Sequence, residues 1–153
     1  GGWIDGAQYT LGQERFNKMF RVQPLLDDGA KVTFSSDIVS EMEWKTNRAN
    51  PFLGIDIGHN RIEPEFGPDA KVRPPMSERL DRSDLVNGYT IDAAYQLGLE
   101  DQIGSIEMGK SADLVVLDKD IFSIEASQVK SILPIAVIME GKIVSGTLES
   151  YYE

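Results

Sequence analysis

The chain has no cysteine among its 153 residues. It therefore contains no disulfide bond, no thiolate ligand for a metal and no cysteine nucleophile. The absence of cysteine is compatible with the reducing cytoplasm, and we expect a cytoplasmic protein. An export signal upstream of residue 1 would not be visible in this sequence.

Basic residues and long apolar runs are also scarce. The chain has 25 acidic against 15 basic residues, which gives a net charge of -10. This charge repels phosphate backbones and anionic membrane surfaces. No run of about 18 apolar residues could span a bilayer. We therefore expect neither nucleic acid nor a membrane as a partner.

Histidine occurs once, as His59. Imidazole is a good zinc ligand, but residues 57–61 lie on a predicted helix. This position favours a surface or helix-packing role for His59 over metal ligation.

Short apolar segments flanked by turn formers are present in the first third of the chain. Residues 11–28 predict two short helices that end at Gly29. Val32, Thr33 and Phe34 then predict a short buried strand over residues 30–35. Asp37 follows its C-terminal end, where barrel enzymes place catalytic groups. By position alone, however, an aspartate after a strand is more typical of a turn or a helix start.

The remaining patterns predict helices followed by strands. A helix should begin at Pro51, and residues 61–75 are a proline-rich loop. Residues 84–97 read as helical, with Ser83 as cap, Gly98 as end and Gly88 as a candidate break. The other predicted elements are strands at 114–117 and 135–139, a helical turn at 127–132, and a hairpin from 139 to 144 that turns at Glu140 and Gly141.

Four stretches, in this order along the chain, resemble the C-terminal part of metal-dependent amidohydrolases. They are residues 11–15 (LGQER), 35–37 (SSD), 89–94 (YTIDAA) and 109–116 (GKSADLVV). The resemblance is to the broad group that includes formamide deformylases and covers nearly the whole chain. Gln13 replaces the usual proline and Asp92 the usual asparagine, while Ser36 stands where a serine or a similar small residue is common.

This resemblance implies an α/β fold, namely the C-terminal fragment of a (β/α)8 TIM barrel with part of a small composite β-sandwich domain. Residues 1–103 would supply the last strand and helices of the barrel. Residues 104–153 would supply the returning strands of the accessory β domain. A complete barrel needs roughly 250 residues, so this chain is too short to hold one.

The resemblance also implies a reaction, the hydrolysis of non-peptide, amide-like carbon–nitrogen bonds by metal-activated water. Asp37 would be both a metal ligand and the catalytic proton acceptor. The divalent metal would be zinc, with manganese or iron as alternatives, and the substrate a small amide-like molecule. The metal histidines of such enzymes come from earlier strands, so we expect this chain alone to bind metal poorly and to be inactive.

Several alternatives stay open at this level. The chain could be a separately folded binding or regulatory module without catalysis, or part of an inactive relative. Arg61, Glu63 and Glu65 fit either a substrate mouth or a solvated loop. Asp113 and the pair at residues 109–110 predict turns rather than a catalytic group or a phosphate loop.

The chain is also expected to form a homo-oligomer. In a barrel fragment the strand predicted at residues 32–35 would present an edge without its neighbours. Such an edge is a template for self-association.

Overall fold

The computed structural model describes residues 2–37, 47–62, 70 and 72–149, with only the backbone of residues 2–5. The α-helices lie in its first two thirds, and the strands come after them. The α-helices are α1 (Gly2–Phe16), which is interrupted by a non-helical backbone at Gly12 (φ 71°, ψ 163°), α2 (Gln23–Asp27), α3 (Pro51–Asn60), α4 (Arg82–Tyr89) and α5 (Ile91–Leu97). Two 3₁₀ helices cover Met76–Glu78 and Ala126–Ser131. None of the helices in the described part of the chain is long and apolar enough to cross a membrane.

Helix α3 begins where the sequence predicts. The Asn50 side chain accepts a hydrogen bond from the Phe52 amide at 3.0 Å, and Pro51 occupies the first turn. Proline suits this position because its missing N–H group would have no helical partner there. The helix ends at Arg61, which adopts the left-handed conformation (φ 53°, ψ 37°).

The segment predicted as helical over residues 84–97, with a candidate break at Gly88, is two helices. The break lies at Thr90 (φ −126°, ψ −97°), and Gly88 lies inside α4. The residue that precedes α4 is Asp81 rather than Ser83. Gly98 ends α5 in the left-handed conformation (φ 69°), as predicted.

Residues 30–35 form no strand, so this prediction is wrong for the structure. A strand needs a hydrogen-bonded neighbouring strand, and the one sheet in the described residues does not include this segment. The Phe34 amide instead donates to the Gly88 carbonyl in α4 at 3.4 Å. Val32 and Phe34 are half-buried rather than fully buried.

The sheet consists of three antiparallel strands in the order β1 (Leu114–Leu117), β2 (Pro134–Met139) and β3 (Lys142–Gly146). Glu140 (φ 49°) and Gly141 (φ 77°) form the turn of the predicted hairpin. Positive φ at both positions matches the twist of the flanking strands. Asp113 Oδ1 accepts a hydrogen bond from the Glu140 amide at 2.8 Å. Asp113 therefore holds this turn, as predicted.

The loop before β1 is also a turn, as predicted from residues 109–110. Lys110 Nζ donates to Ser105 Oγ at 2.6 Å and to Glu107 Oε1 at 3.2 Å. Gly109 has a positive φ of 97°, which glycine adopts without steric cost. The lysine is thus used within its own loop.

The core lies between helices rather than on the sheet. Its buried apolar residues come from α3, α4, the second 3₁₀ helix and the loops beside them: Ile55, Leu80, Leu85, Ile121, Val129 and Ile132. In contrast, all five residues of β3 are exposed. The packed centre of the described residues therefore lies where α3 and α4 meet the segment 121–132, which connects β1 to β2.

Candidate active site

Asp37 is the site residue predicted from the sequence. It ends the described segment 30–37 and is exposed to solvent. Its φ of 46° lies in the left-handed region, which aspartate tolerates better than most residues because its short side chain can hydrogen-bond locally. The structure thus presents this carboxylate at the surface.

The segment before Asp37 is attached to α4 and α5 by side chains as well as by its backbone. Lys31 Nζ lies 2.9 Å from Asp92 Oδ1, and Thr33 Oγ1 donates to Gln96 Oε1 at 2.7 Å. The hydrogen bond and the charge of Asp92 raise the pKa of Lys31. Lys31 also lies 5.0 Å from the centre of the Tyr95 ring.

His59 lies on α3 and is half-buried. Its Nδ1 atom is 2.9 Å from the Leu80 carbonyl oxygen. Because a carbonyl only accepts hydrogen bonds, Nδ1 must carry the proton in this contact. This contact joins α3 to the chain before α4, which is the helix-packing role predicted from the sequence.

His59 also lines an open cleft of about 330 Å³. The other lining residues are Asp81, Arg82, Ser83 and Phe122. Arg82 Nη1 donates to the carbonyls of Ile121 and Ile124 at 2.8 and 2.7 Å. The guanidinium therefore holds the loop of residues 121–124 against α4, and its role in the cleft is structural.

Arg61 is a structural residue, and neither a substrate mouth nor a solvated loop describes it. Its guanidinium donates to four backbone carbonyls at 3.0 to 3.4 Å, those of Phe20, Arg73, Pro74 and Glu78. Burial, together with the charge of Arg73, lowers the pKa of Arg61. Glu63 and Glu65 lie outside the described residues.

Two buried carboxylates escape sequence reasoning. Glu78 is 3% exposed and accepts hydrogen bonds from Arg21, Val22 and Gln23. Sequence offered no signal for Glu78, because its partners are more than 50 residues away.

The second buried carboxylate, Asp56 on α3, is 4% exposed. It accepts a hydrogen bond from Asn60 at 3.1 Å. Burial is the main cause that raises the pKa of Asp56, against the opposing influence of Lys130 and Asn60. The spacing of Asp56 and Asn60 by four residues was a usable signal, since such pairs meet on one helix face.

The donor set of a metal site is incomplete in the part of the chain that the structure describes. No group of three histidine, cysteine, aspartate or glutamate side chains lies close enough there to hold a metal ion. A catalytic zinc site uses three protein ligands. Asp37 fits such a site as one exposed carboxylate ligand.

Comparisons with known proteins indicate one family. The sequence profile of the amidohydrolase family matches residues 2–145. The N-substituted formamide deformylase of Arthrobacter pascens is 26% identical over 92% of this chain and 24% of that protein. The protein LONG AFTER FAR-RED 3 of Arabidopsis thaliana is 33% identical over 74% of this chain and 18% of that protein.

Two further similarities agree with this family. The imidazolonepropionase of Bdellovibrio bacteriovorus is 32% identical over 48% of this chain and 17% of that protein. The crystal structure of an amidohydrolase from Thermotoga maritima MSB8 superimposes with a TM-score of 0.50 and 26% identity, over 82% of this chain and 25% of that chain. The chain therefore spans about a quarter or less of the length of the proteins it matches.

Proposed function

This chain belongs to the amidohydrolase family, and from that membership we propose that it is the C-terminal part of a metal-dependent hydrolase of amide-like carbon–nitrogen bonds. The observation that carries the proposal is the match over residues 2–145, together with the short span of the matched proteins that this chain covers. The longer protein would be the enzyme and would act on a small amide-like molecule. This chain alone would be incomplete and inactive.

The proposed division of the chain places residues 1–103 in the barrel and residues 104–153 in an accessory β domain. The order of the elements supports it. Within the described residues the α-helices all end by Leu97, and the first of the three strands begins at Leu114. The helices thus precede a small antiparallel sheet, while the packed core draws on both parts, with Ile121, Val129 and Ile132 contributed by residues 104–153.

Asp37 is proposed as the metal ligand and the catalytic carboxylate. The residue is exposed, and carboxylate oxygen suits zinc, manganese or iron. The chemistry that a divalent ion would supply in such a site is acidification of bound water, whose pKa it would lower to about 7. Asp37 would be a ligand of the ion and would accept a proton from the attacking water. The remaining ligands would come from outside this chain, which has one histidine.

A second candidate is a separately folded module that binds a partner without catalysis. The single histidine favours it for the chain by itself. In either case we propose a cytoplasmic protein.

Metal content and turnover distinguish these functions. The 153-residue chain and a longer protein that carries the upstream histidines are each loaded with zinc or manganese and assayed on N-acyl compounds and N-substituted formamides. We expect stoichiometric metal and hydrolysis in the longer protein only. His59→Gln is the matched control and should change neither quantity, because His59 is used in packing.

The contrary outcomes are specific. Tight metal binding or turnover by the 153-residue chain would show that the split site is wrong. A longer protein that folds but neither binds metal nor hydrolyses any substrate would favour the non-catalytic module.

We also propose that the chain forms homo-oligomers. The segment 32–35 is not a strand and supplies no edge. Within the described residues, however, β3 is an edge strand, and its Ile143 and Val144 are at least half exposed. An exposed apolar edge can pair with a second copy. Light scattering should give at least twice the chain mass of 17.0 kDa, and Val144→Lys should lower it. A single-chain mass for the unaltered protein would contradict the proposal.

A further inference from the structure

Gly88 has an unusual position for a glycine. It lies inside α4 and is buried, although glycine in a helix interior is destabilising relative to alanine. A Cβ atom at residue 88 would lie 2.5 Å from Phe34 Cε2 and 2.7 Å from the Val32 carbonyl oxygen. These are closer than any ordinary contact. The missing side chain is therefore what lets the segment 32–34 lie against α4.

Phe34, which belongs to the segment 32–34, makes further contacts with α4. The Phe34 amide donates to the Gly88 carbonyl at 3.4 Å. The Phe34 ring lies 5.9 Å from the Tyr89 ring, centre to centre, with the planes tilted by 36°. Backbone and side chain of Phe34 thus both rest on the last turn of α4.

A second attachment lies on α5. Lys31 pairs with Asp92 at 2.9 Å, and the Asp92 side chain is 14% exposed. Asp92 is the residue that departs from the asparagine usual in the resembling proteins. The carboxylate is matched here by a lysine charge, so the departure is compensated within this chain.

We propose that Gly88 is a positioning residue for Asp37, assisted by the Lys31–Asp92 pair. Asp37 lies three residues after Phe34, and three residues span at most about 10 Å. The place where Phe34 rests on α4 therefore limits where the Asp37 carboxylate can be. The inference deepens the proposed function and rests on it for the role of Asp37 as a metal ligand.

Hydrogen exchange, measured by mass spectrometry on the peptide that covers residues 30–37, tests directly whether Gly88 holds this segment against α4. The experiment needs no metal. Gly88→Ala should raise the exchange of this peptide at least 10-fold, because the new Cβ pushes Phe34 and Val32 away. Gly6→Ala in α1 is the matched control, since a Cβ there meets nothing within 4 Å, and it should leave the peptide unchanged. Unchanged exchange in Gly88→Ala would overturn the proposal.

Metal affinity of the longer protein separates positioning from a purely structural role. Under conditions where both proteins are folded, Gly88→Ala should weaken metal binding at least 10-fold. Faster exchange with unaltered affinity, in a protein where Asp37→Ala does remove the metal, would overturn positioning. If Asp37→Ala leaves the metal bound, the proposed function fails. The exchange experiment alone then decides whether Gly88 holds residues 30–37 against α4.

The other attachment keeps the test decisive if Gly88→Ala does not fold. Lys31→Met removes the ion pair without touching α4, and it should raise exchange of the same peptide about threefold. The double variant Lys31→Met with Asp92→Asn should be no worse than the single one, because both remove the same pair. No rise in exchange in either variant would contradict the assistance we assign to this pair.

Discussion

Asp37→Ala is expected to lower hydrolysis by the longer protein at least about 100-fold. The reason is that one carboxylate would serve both as metal ligand and as proton acceptor, and loss of general acid–base catalysis alone typically costs about 10²–10⁴-fold. Metal content should fall in parallel. The measurement is kcat and metal stoichiometry on the same preparations.

Asp28→Ala is the matched control for charge. Asp28 is likewise exposed and precedes the same segment, yet the proposal gives it no role. It should retain activity and metal. Asp37→Asn keeps the size of the side chain and removes its charge, so it should resemble Asp37→Ala. Full activity in Asp37→Ala would remove Asp37 from the mechanism.

Features that depend on neighbours in the sequence could be predicted here. Asn50 and Pro51 start α3, Gly98 ends α5, and Glu140 with Gly141 turns the hairpin. In each case the relevant hydrogen bond or φ angle is decided within a few residues. Local signals therefore gave the positions of most elements.

Features that depend on distant partners could not be predicted in this way. The apolar run at 32–34 has strand character, but its partner is a helix surface that only glycine at position 88 leaves open. For the same reason Gly88 looked like a helix break. Arg61 looked like a loop charge because its four carbonyl partners are contributed by other segments.

The candidate site was predicted from a family resemblance rather than from local sequence patterns. Asp37 was selected by a resemblance and not by periodicity, and its role stays a prediction. The structure adds how its segment is attached, through Phe34 on α4 and Lys31 on α5. The other ligands of the proposed metal ion would be contributed by residues that this chain does not contain.

Glu78 carries the largest expected effect on stability. Its Oε2 accepts the Val22 and Gln23 amides at 2.8 and 3.0 Å, and its Oε1 pairs with Arg21 Nε at 3.1 Å. Both amides belong to the N-terminus of α2, which has no cap from its own side chains. Glu78 thus serves as the cap of α2 from a distant part of the chain.

Glu78→Ala should lower the free energy of unfolding by about 3 kcal/mol. Hydrogen bonds to a charged group contribute about 1.5–3 kcal/mol each, and the variant also leaves two helix amides without an acceptor. Glu78→Gln keeps one acceptor oxygen and should cost less. Chemical denaturation of the three proteins at pH 7 measures the order. Equal stabilities would show that the buried carboxylate contributes nothing.

The stability of the protein at low pH should depend on the same hydrogen bonds of Glu78. Burial by itself raises the pKa of Glu78, but the hydrogen bonds from Arg21, Gln23 and Val22 outweigh it, so the pKa is lowered in the folded protein. A lowered folded pKa means that the unfolded chain binds the proton more readily. The stabilisation is therefore present above the unfolded pKa of about 4.3 and is lost as the pH falls through the folded pKa.

The difference in unfolding free energy between the unaltered protein and Glu78→Gln isolates this contribution. Asp56 has the opposite sign, since its pKa is raised, and it cancels in the difference. The gap between the two proteins should be constant from pH 7 to about 5 and should shrink below the unfolded pKa of about 4.3. A gap that does not change with acidification would mean that Glu78 acts through shape alone, and its charge would then have no part in holding α2.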